Sequence, residues 1–251
     1  MLTSQRKQQI LQVLKRDGQV VAKAMSDAFG VSEDTVRRDL RELAAEGLLQ
    51  RVHGGALPSS PATADYAHRQ AISADAKSAI ARKAASLIQP GQVVILDGGT
   101  TCVAMARHLP ATLKATVITH SPSVAVELMH HDNIDVVMIG GRLFKHSMVA
   151  VGASAIEAMA HIRADVFFMG VTGIHPTGGL STGDHEEAHI KRALAARAAE
   201  TVVLASNEKL NAASHYVIGE ATMAHTVIVD ADAPKAATHG LSALGIQVVR
   251  A

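Results

Sequence analysis

The sequence predicts a mixed α/β protein with two parts, a small helical domain followed by a larger domain of alternating strands and helices. Two observations lead to this prediction. The first 57 residues contain three short apolar patterns with helical spacing and then a β-prone stretch. From residue 93 onward, seven short β-branched runs are mostly separated by helical segments. Such alternation is typical of a largely parallel sheet covered by helices on both faces.

Three helices are predicted in the N-terminal domain, residues 1–57. The first ends at Gly18, the second spans 22–29, and the third runs from Ser32 to about Glu46. Ser32 can cap the third helix because its side-chain oxygen can accept a hydrogen bond from an unpaired amide of the first turn. Gly30 allows a tight turn between the second and third helices. This order predicts a helix-turn-helix unit.

The third helix has an apolar face and a basic face. Val36, Leu40 and Leu43 share one side at helical spacing. Three arginines, Arg37, Arg38 and Arg41, project from the other side. A planar guanidinium can bond two acceptors on a guanine edge or a phosphate, so this face suits DNA. The alternative is a solvated arginine face on an ordinary bundle. Bulk charge does not decide between them, since the domain has nine Lys and Arg against seven Asp and Glu.

A two-stranded wing is predicted after the third helix. Residues 48–53 are β-prone, and the sequence His53-Gly54-Gly55 can reverse the chain. The unit is therefore expected to be a winged helix whose partner is a double-stranded DNA operator. The residues expected to contact DNA are Ser32, Thr35, Arg37, Arg38, Arg41, Arg51 and His53.

The helix and wing resemble the signature of DeoR-type bacterial transcription regulators. The matching positions are Ser32, Thr35, Val36, Arg37, Arg38, Asp39, Leu40, Leu43, the run Glu46-Gly47-Leu48 and the run from Arg51 to Ala56. The resemblance implies a repressor of a carbohydrate-catabolism operon that a phosphorylated sugar or polyol releases, with no enzymatic activity. Operators usually contain at least two half-sites, so a homodimer or homotetramer is expected.

Residues 58–73 are expected to be a linker, and residues 74–251 an effector domain. The run from Pro58 to Asp65 contains turn formers and no periodicity. A helix from Ala74 to Ile88 then opens the larger domain. The predicted strands are 93–96, 116–119, 136–139, 166–169, 202–205, 227–230 and 246–249.

Four loops at the carboxyl ends of these strands are expected to form a ligand site. Glycines let the backbone approach a ligand, threonines offer hydroxyls, and a helix start offers free amides, which together favour an anion. The loop residues are Asp97, Gly98, Gly99, Thr100, Thr101, Gly140, Gly141, Arg142, Gly170, Thr172, Gly173 and Lys209. The alternative is that each loop is only a turn or a helix cap.

The larger domain also resembles the effector domain of DeoR-type regulators, which has the fold of ribose-phosphate isomerases and senses a sugar phosphate. By that resemblance Asp97, Thr100, Thr101, Glu186 and Lys209 line the pocket, and Lys191 matches as well. This chain departs from the pattern at His120, where asparagine is common, and at 206–208, which reads Ser-Asn-Glu. Glu208 would repel a phosphate if it pointed inward.

The run His185-Glu186-Glu187-Ala188-His189 permits a rival hypothesis. Two histidines one turn apart can bind zinc, with a glutamate activating water. A third ligand could be His175, Asp184 or His215, but no spacing specifies it. A second rival is an isomerase-like enzyme with Glu186 or Asp97 as general base. We expect no zinc chemistry, because a short motif occurs easily by chance among 14 histidines. We expect no isomerase activity and no metal or cofactor, because the isomerase resemblance is one of fold and confers no activity.

Whole-chain composition agrees with a DNA-binding regulator. Charged residues are 19% of the chain, and no apolar run reaches the ~18 residues of a membrane span. No signal-peptide pattern opens the sequence. The single Cys102 cannot form an internal disulfide. A cytoplasmic location without a membrane partner is therefore expected.

Overall fold

A computed structural model describes residues 2–63 and 66–251, and its architecture is the predicted one, a small helical domain followed by an α/β domain. The helices are α1 (Thr3–Asp17), α2 (Ala22–Phe29), α3 (Glu33–Ala45), α4 (Tyr66–Ala71), α5 (Ala74–Ala85), α6 (Thr100–Arg107), α7 (Pro122–Glu127), α8 (Ala153–Met159), α9 (His185–Ala195) and α10 (Lys235–Ala243). The strands of the N-terminal domain are β1 (Val20–Val21), β2 (Gln50–Val52) and β3 (Gly55–Leu57).

The N-terminal domain is the predicted winged helix with one added strand. β2 and β3 form the antiparallel wing, and β1 pairs with the other edge of β3. Val36, Leu40 and Leu43 are buried in a small core with α1. The Arg6 side chain donates to the Asp39 carboxylate with Nε 2.7 Å from Oδ2, and both groups are buried. This ion pair fixes α3 against α1.

The α/β domain is built on a seven-stranded parallel sheet. Its strands are β4 (Val93–Leu96), β5 (Ala115–Thr119), β6 (Ile134–Met138), β9 (Ala164–Gly170), β12 (Ala198–Leu204), β14 (Thr226–Val229) and β15 (Gln247–Arg250). Alternate residues of β9 point to opposite faces, with Phe167 in one buried cluster and Phe168 in the other. Both faces of the sheet are therefore covered, as the apolar strands predicted.

The strand order β15-β14-β12-β9-β4-β5-β6 places a reversal between β4 and β9. The chain moves outward from β4 to β6, then returns to the other side of β4 with β9. The loops after β4 and β9 consequently diverge and leave a crevice at the carboxyl edge of the sheet.

Two antiparallel additions were not predicted. A hairpin is formed by β7 (Arg142–Phe144) and β8 (Val149–Val151), and a small sheet by β10 (Gly173–His175), β11 (Gly179–Thr182) and β13 (Tyr216–Gly219). Both lie next to the carboxyl edge of the main sheet in sequence, since β7 follows β6 and β10 follows β9.

The segment predicted as a linker has structure of its own. A 3-10 turn covers Pro61–Thr63 and α4 follows, while residues 64 and 65 of the predicted linker lie outside the described residues. The start of this segment hydrogen-bonds to the α/β domain. Ser60 donates its amide to the Ala213 carbonyl with an N to O distance of 3.3 Å.

Candidate functional site

The arginine face of α3 is exposed, as the sequence predicted. Ser32 caps the helix by accepting the Thr35 amide at 3.3 Å, and its hydroxyl lies 2.9 Å from that of Thr35. Arg38 and Arg41 are exposed on the side opposite the core. Arg51 and His53 are exposed on the wing. The seven residues expected to contact DNA thus lie on two adjacent elements, α3 and the wing.

The arginines of this surface are not equivalent. Arg37 donates to Glu33 at 2.7 Å and lies 3.7 Å from the Asp34 carboxylate, one turn back on its own helix. Arg38, Arg41 and Arg51 have no ion pair within the part of the chain that the structure describes. To contact DNA, Arg37 would have to break its interactions with the Glu33 and Asp34 carboxylates, whereas Arg38, Arg41 and Arg51 have no such ion pairs to break.

A cavity occupies the crevice between β4 and β9. Its lining residues come from six separate stretches of sequence: Ala62, Arg69, Ile72, Lys77, Gly98, Gly99, Thr100, Thr101, Ser147, Gly170, Val171, Thr172, Thr182, Glu187, Lys191, Glu208 and Lys209. Seven of the thirteen ligand-site residues predicted from the sequence are in this set. They are Gly98, Gly99, Thr100, Thr101, Gly170, Thr172 and Lys209.

The turn after β4, where the sequence predicted an anion cradle, borders the cavity. A Cβ on Gly98 would lie 2.1 Å from the Val149 side chain of the neighbouring hairpin, so only glycine fits. Gly99 has φ +94° and is the N-cap of α6. The amides of the first turn have no partner within the helix, and the helix dipole adds positive potential there. The cavity is therefore bounded on this side by donors for an anion.

Asp97 lies beneath the cavity and does not line it. Its side chain is fully buried. One carboxylate oxygen accepts the Gly98 amide and His120 Nε2, each at 2.8 Å, while the other accepts the Gly170 amide at 2.9 Å and the Lys191 ammonium. Burial would raise the pKa of Asp97, but Lys191 and His120 outweigh burial and lower it. Asp97 is thus an ionised anchor that holds both sides of the crevice.

His120 connects this anchor to the hairpin. Its ring is fully buried, and its other nitrogen, Nδ1, lies 2.9 Å from the Ala150 carbonyl oxygen on β8. The two ring nitrogens therefore lie within hydrogen-bond distance of two different elements, the Asp97 carboxylate after β4 and the Ala150 carbonyl on β8. The departure from the family pattern at this position therefore joins Asp97 to the strand that packs over Gly98.

Three lysines bring positive charge to the cavity. Lys191 is paired with Asp97; burial lowers its pKa, but the charges of Asp97 and Glu187 outweigh burial and raise it. Burial lowers the pKa of Lys77. Burial also lowers the pKa of Lys209, to about 8, although Glu208 partly opposes that shift. No residue among 2–63 and 66–251 accepts a hydrogen bond from the Lys209 ammonium, which is 6% exposed.

Two carboxylates share the cavity with these lysines. Glu187 accepts the Thr182 hydroxyl at 3.1 Å. Glu208 accepts the hydroxyls of Ser206 at 2.6 Å and Ser73 at 3.0 Å. Burial would raise the pKa of Glu208, but the Ser206 hydrogen bond and the charge of Lys209 outweigh burial and lower it. Glu208 lines the cavity, which the sequence analysis identified as unfavourable for a phosphate, and its carboxylate accepts hydrogen bonds from two hydroxyls.

Glu186, which the family resemblance places in the pocket, lies outside this cavity, and its neighbour Glu187 lines the cavity instead. Asp184 caps α9 by accepting the Glu187 amide, Glu187 is buried, and the Glu186 side chain is 41% exposed. Neither carboxylate proposed as a general base is free in the cavity, since Asp97 is engaged by four donors and Glu186 points away.

Four other predicted ligand residues also lie elsewhere. Gly140, Gly141 and Arg142 are exposed at the start of the hairpin, because the strand before them, β6, is at the edge of the sheet and is separated from β9 by two strands. Gly173 is the first residue of β10 in the small sheet and is buried, and a Cβ there would lie 2.4 Å from the Ala212 carbonyl oxygen. These three glycines lie in a turn or at a close backbone contact and not in the cavity. The sequence analysis missed three lining residues, Arg69, Lys77 and Glu187. Arg69 and Lys77 come before the first strand of the sheet, and Glu187 is the neighbour of Glu186 on α9.

The His185 to His189 run shows no metal-binding geometry. The two imidazole rings pack edge to face with centroids 4.6 Å apart, and His185 also packs against Tyr216. The described residues contain no group of three or more His, Cys, Asp and Glu side chains that could hold a metal ion. No helix among the described residues is long and apolar enough to cross a membrane.

Comparison with known proteins decides the family. Residues 6–61 match the DeoR-like helix-turn-helix domain, and residues 72–231 match the DeoR C-terminal sensor domain. The chain belongs to the DeoR family of transcription regulators. In this DeoR-family chain the two matched regions fall on the winged helix and on the domain that contains the cavity.

Relatives of this DeoR-family regulator are similar over nearly their whole length. The HTH-type transcriptional regulator GlpR of Haloferax volcanii is 32% identical, with 99% of this chain and 98% of that protein covered. The glycerol-3-phosphate regulon repressor of Escherichia coli K12 is 31% identical, with 93% of each covered. Among solved structures, ribose 5-phosphate isomerase A of Methanocaldococcus jannaschii is similar over 54% of each chain, with 20% identity and a TM-score of 0.38.

Proposed function

We propose that this DeoR-family regulator is a transcriptional repressor that binds an operator through α3 and the wing, and that a phosphorylated sugar or polyol filling the cavity changes its operator affinity. The observation that supports this class of ligand is that cationic groups and carboxylates line the same cavity. Lysines and a helix N-terminus suit a phosphate, and carboxylates beside them suit hydroxyl groups.

The phosphate would lie between the start of α6 and Lys209. Free amides at the helix start donate to an anion, and the threonine hydroxyls of Thr100 and Thr101 add donors. Lys209 is buried without an acceptor in the described residues, which is unfavourable for an ammonium unless a ligand supplies the negative charge. A dianionic phosphate fits that need.

The sugar or polyol would extend toward Glu187 and Glu208. An ionised carboxylate accepts hydrogen bonds and donates none, so it suits a hydroxyl and disfavours a second phosphate. A bare anion would gain nothing from these two groups. The ligand we propose therefore has one anionic end and at least one hydroxyl group.

The names of the relatives agree with this ligand class. One relative is named as the repressor of a glycerol-3-phosphate regulon, and glycerol 3-phosphate has one phosphate and two hydroxyls. The same relatives are named as regulators rather than enzymes. These names support a DNA-binding repressor that senses a phosphorylated metabolite.

Operator binding is proposed to need two copies of the winged helix, in a homodimer or homotetramer. Each α3 would enter a major groove of one half-site, with Arg38 and Arg41 on base edges or phosphates and the wing arginine on the backbone. The ligand would act by binding more tightly to one arrangement of the two winged helices than to the other.

The test is capture of sheared genomic DNA from the source organism on the purified protein, followed by sequencing of retained fragments. We expect one repeated site near genes for carbohydrate uptake, and release of that site by glycerol 3-phosphate or a related sugar phosphate but not by glycerol. A variant with Arg38→Ala and Arg41→Ala is the control for retention. Equal retention of all DNA by both proteins would overturn the proposal.

A further inference from the structure

The segment between the two domains forms one wall of the ligand cavity. Ala62, Arg69 and Ile72 belong to this segment and line the cavity together with residues of the α/β domain. A ligand in the cavity therefore meets the segment that connects the DNA-binding domain to the rest of the chain.

The upstream end of the segment is anchored on a cavity residue. Ser60 donates its hydroxyl to the carbonyl oxygen of Thr172, and both residues are buried. Pro58 accepts the Ala213 amide at 3.0 Å, beside that anchor. Thr172 in turn bonds Ser181 and Ser214 through its hydroxyl, at 3.1 and 2.7 Å. The segment is thus tied to the loop after β9 just before it reaches the cavity.

The downstream end is tied to the opposite side of the cavity. The Arg69 guanidinium donates to the His146 carbonyl oxygen at 3.0 Å and to the Ser147 hydroxyl at 3.3 Å, both in the loop of the β7–β8 hairpin. The carbonyl oxygen of Arg69 accepts the Lys77 ammonium at 2.6 Å. Arg69 therefore bridges the hairpin and α5 across the cavity wall.

Arg69 is the cation that the segment contributes. The two groups on the hairpin to which it donates, a carbonyl and a hydroxyl, are neutral. A guanidinium bonds an ionised phosphate more strongly than a neutral acceptor, and can do so with two parallel bonds. An anion entering the cavity would therefore compete with the hairpin for Arg69.

We propose that Arg69 contacts the phosphorylated ligand directly, so that the segment carrying the DNA-binding domain is itself part of the ligand site. This inference rests on the proposed function and adds the route of regulation. A ligand bound at once to α6, to Lys209 and to Arg69 stabilises one placement of α4. The change reaches the winged helix through residues 58–63, which lead directly from β3.

The experiment compares wild type with Arg69→Gln, Arg69→Lys and a matched control, Arg82→Gln. Arg82 is an exposed arginine of α5 that bonds Ser78 and does not line the cavity. Binding of glycerol 3-phosphate and of sulfate is measured by calorimetry on the full chain. Binding to an operator selected by genomic capture is measured with and without glycerol 3-phosphate, and hydrogen exchange is followed over residues 66–72.

We expect Arg69→Gln to weaken glycerol 3-phosphate binding at least about tenfold, as loss of a charge-assisted pair should. Arg69→Lys should recover part of that loss, and Arg82→Gln should bind like wild type. Operator affinity without ligand should stay within about threefold of wild type, while its response to glycerol 3-phosphate is lost. Exchange over residues 66–72 should change on ligand addition in wild type only.

Wild-type ligand affinity and response in Arg69→Gln would overturn this inference and leave the proposed function intact. If the wild type itself binds neither glycerol 3-phosphate nor sulfate, the proposed ligand class fails and the inference fails with it. A folded Arg69→Lys variant keeps the test valid if Arg69→Gln does not fold.

Discussion

The DNA-facing surface and the ligand cavity are built in opposite ways. The surface takes its arginines from one helix and a short wing, and all of them are exposed and lie within the 15 residues from Arg37 to Arg51. The cavity takes its charged groups from distant segments and buries them, with Lys77, Lys191 and Lys209 each 5 to 6% exposed. The first site depends on local periodicity, and the second depends on the topology of the sheet.

The largest expected effect is a loss of stability when the buried ion pair beneath the cavity is broken. Asp97→Ala should lower the free energy of unfolding by about 3 to 5 kcal/mol, because it leaves the buried Lys191 ammonium without its carboxylate. Urea unfolding at neutral pH measures this loss. Asp75→Ala, an exposed carboxylate in α5, is the control and should change stability by less than about 0.5 kcal/mol.

If Asp97→Ala and Asp75→Ala unfold at the same urea concentration, Asp97 does not anchor the crevice.

The corresponding variant of the small domain is Asp39→Ala, which breaks the pair with Arg6. It should impair operator binding and leave sulfate binding to the cavity unchanged.

The next effect concerns the DNA-facing surface alone. Arg37→Ala and Arg38→Ala should each weaken specific operator binding by about 1 to 3 kcal/mol if the guanidinium makes a bidentate base contact. Arg38 has no ion pair to give up when it binds DNA, whereas Arg37 is paired with Glu33. The Arg38→Ala variant should therefore lose more operator affinity than the Arg37→Ala variant. Fluorescence anisotropy with a captured operator measures both, and Arg16→Ala on α1 is the control.

Wild-type operator affinity in both variants would remove these arginines from the interface. Glycerol 3-phosphate binding is the second measurement, and it should be the same in Arg38→Ala and wild type, because the helix does not contribute to the cavity.

A difference in pH dependence should distinguish the sites next. Burial lowers the pKa of Lys209 to about 8, so the ammonium is present below that pH and is lost above it in the ligand-free protein. Sulfate remains a dianion throughout, and its affinity should fall by roughly tenfold between about pH 7 and about pH 9.5. Operator binding by arginines should be nearly constant over that window.

Lys209→Gln is the matched variant for the pH experiment. It should bind sulfate weakly at both pH values, with most of the pH dependence removed. A wild-type sulfate affinity that does not change with pH would place the anion away from Lys209.

The smallest expected effect compares two adjacent glutamates. Glu187→Gln removes a negative charge from the cavity and should tighten sulfate binding a few-fold, while weakening a ligand whose hydroxyl needs the carboxylate. Glu186→Gln, one position earlier and outside the cavity, should change neither. Calorimetry with sulfate and glycerol 3-phosphate tests the pair, and opposite behaviour of the two variants would restore Glu186 to the site.

Local rules were sufficient for the small domain. The Ser32 cap, the apolar spacing of Val36, Leu40 and Leu43, and the Gly54-Gly55 turn each act within a few residues. Within residues 2–57, the element that the sequence did not predict is β1, which has two residues and pairs with β3. The strands of the large sheet were also predictable, since their apolar runs are buried on both faces.

The cavity could be predicted only in part. Loops after β4, β9 and β12 converge because those strands are neighbours in the sheet, whereas the loop after β6 is separated from β9 by two strands. Strand order is not visible in the sequence, so the prediction included Gly140, Gly141 and Arg142, which lie outside this cavity. Glu186 was named from the family resemblance, whereas the structure places Glu187 on the cavity side of α9. Arg69 lay in a segment without a periodic signal.

The division of the cavity between separate elements also bears on how such a regulator could acquire a new inducer. The end of the cavity that we propose for the anion is formed by the turn before α6 and by Lys209, while Glu187 comes from the first turn of α9. Substitutions at that turn could change which carbon skeleton is recognised without altering the phosphate contacts or the winged helix. A library confined to the start of α9 is therefore a rational starting point for biosensors that report on different sugar phosphates through one operator.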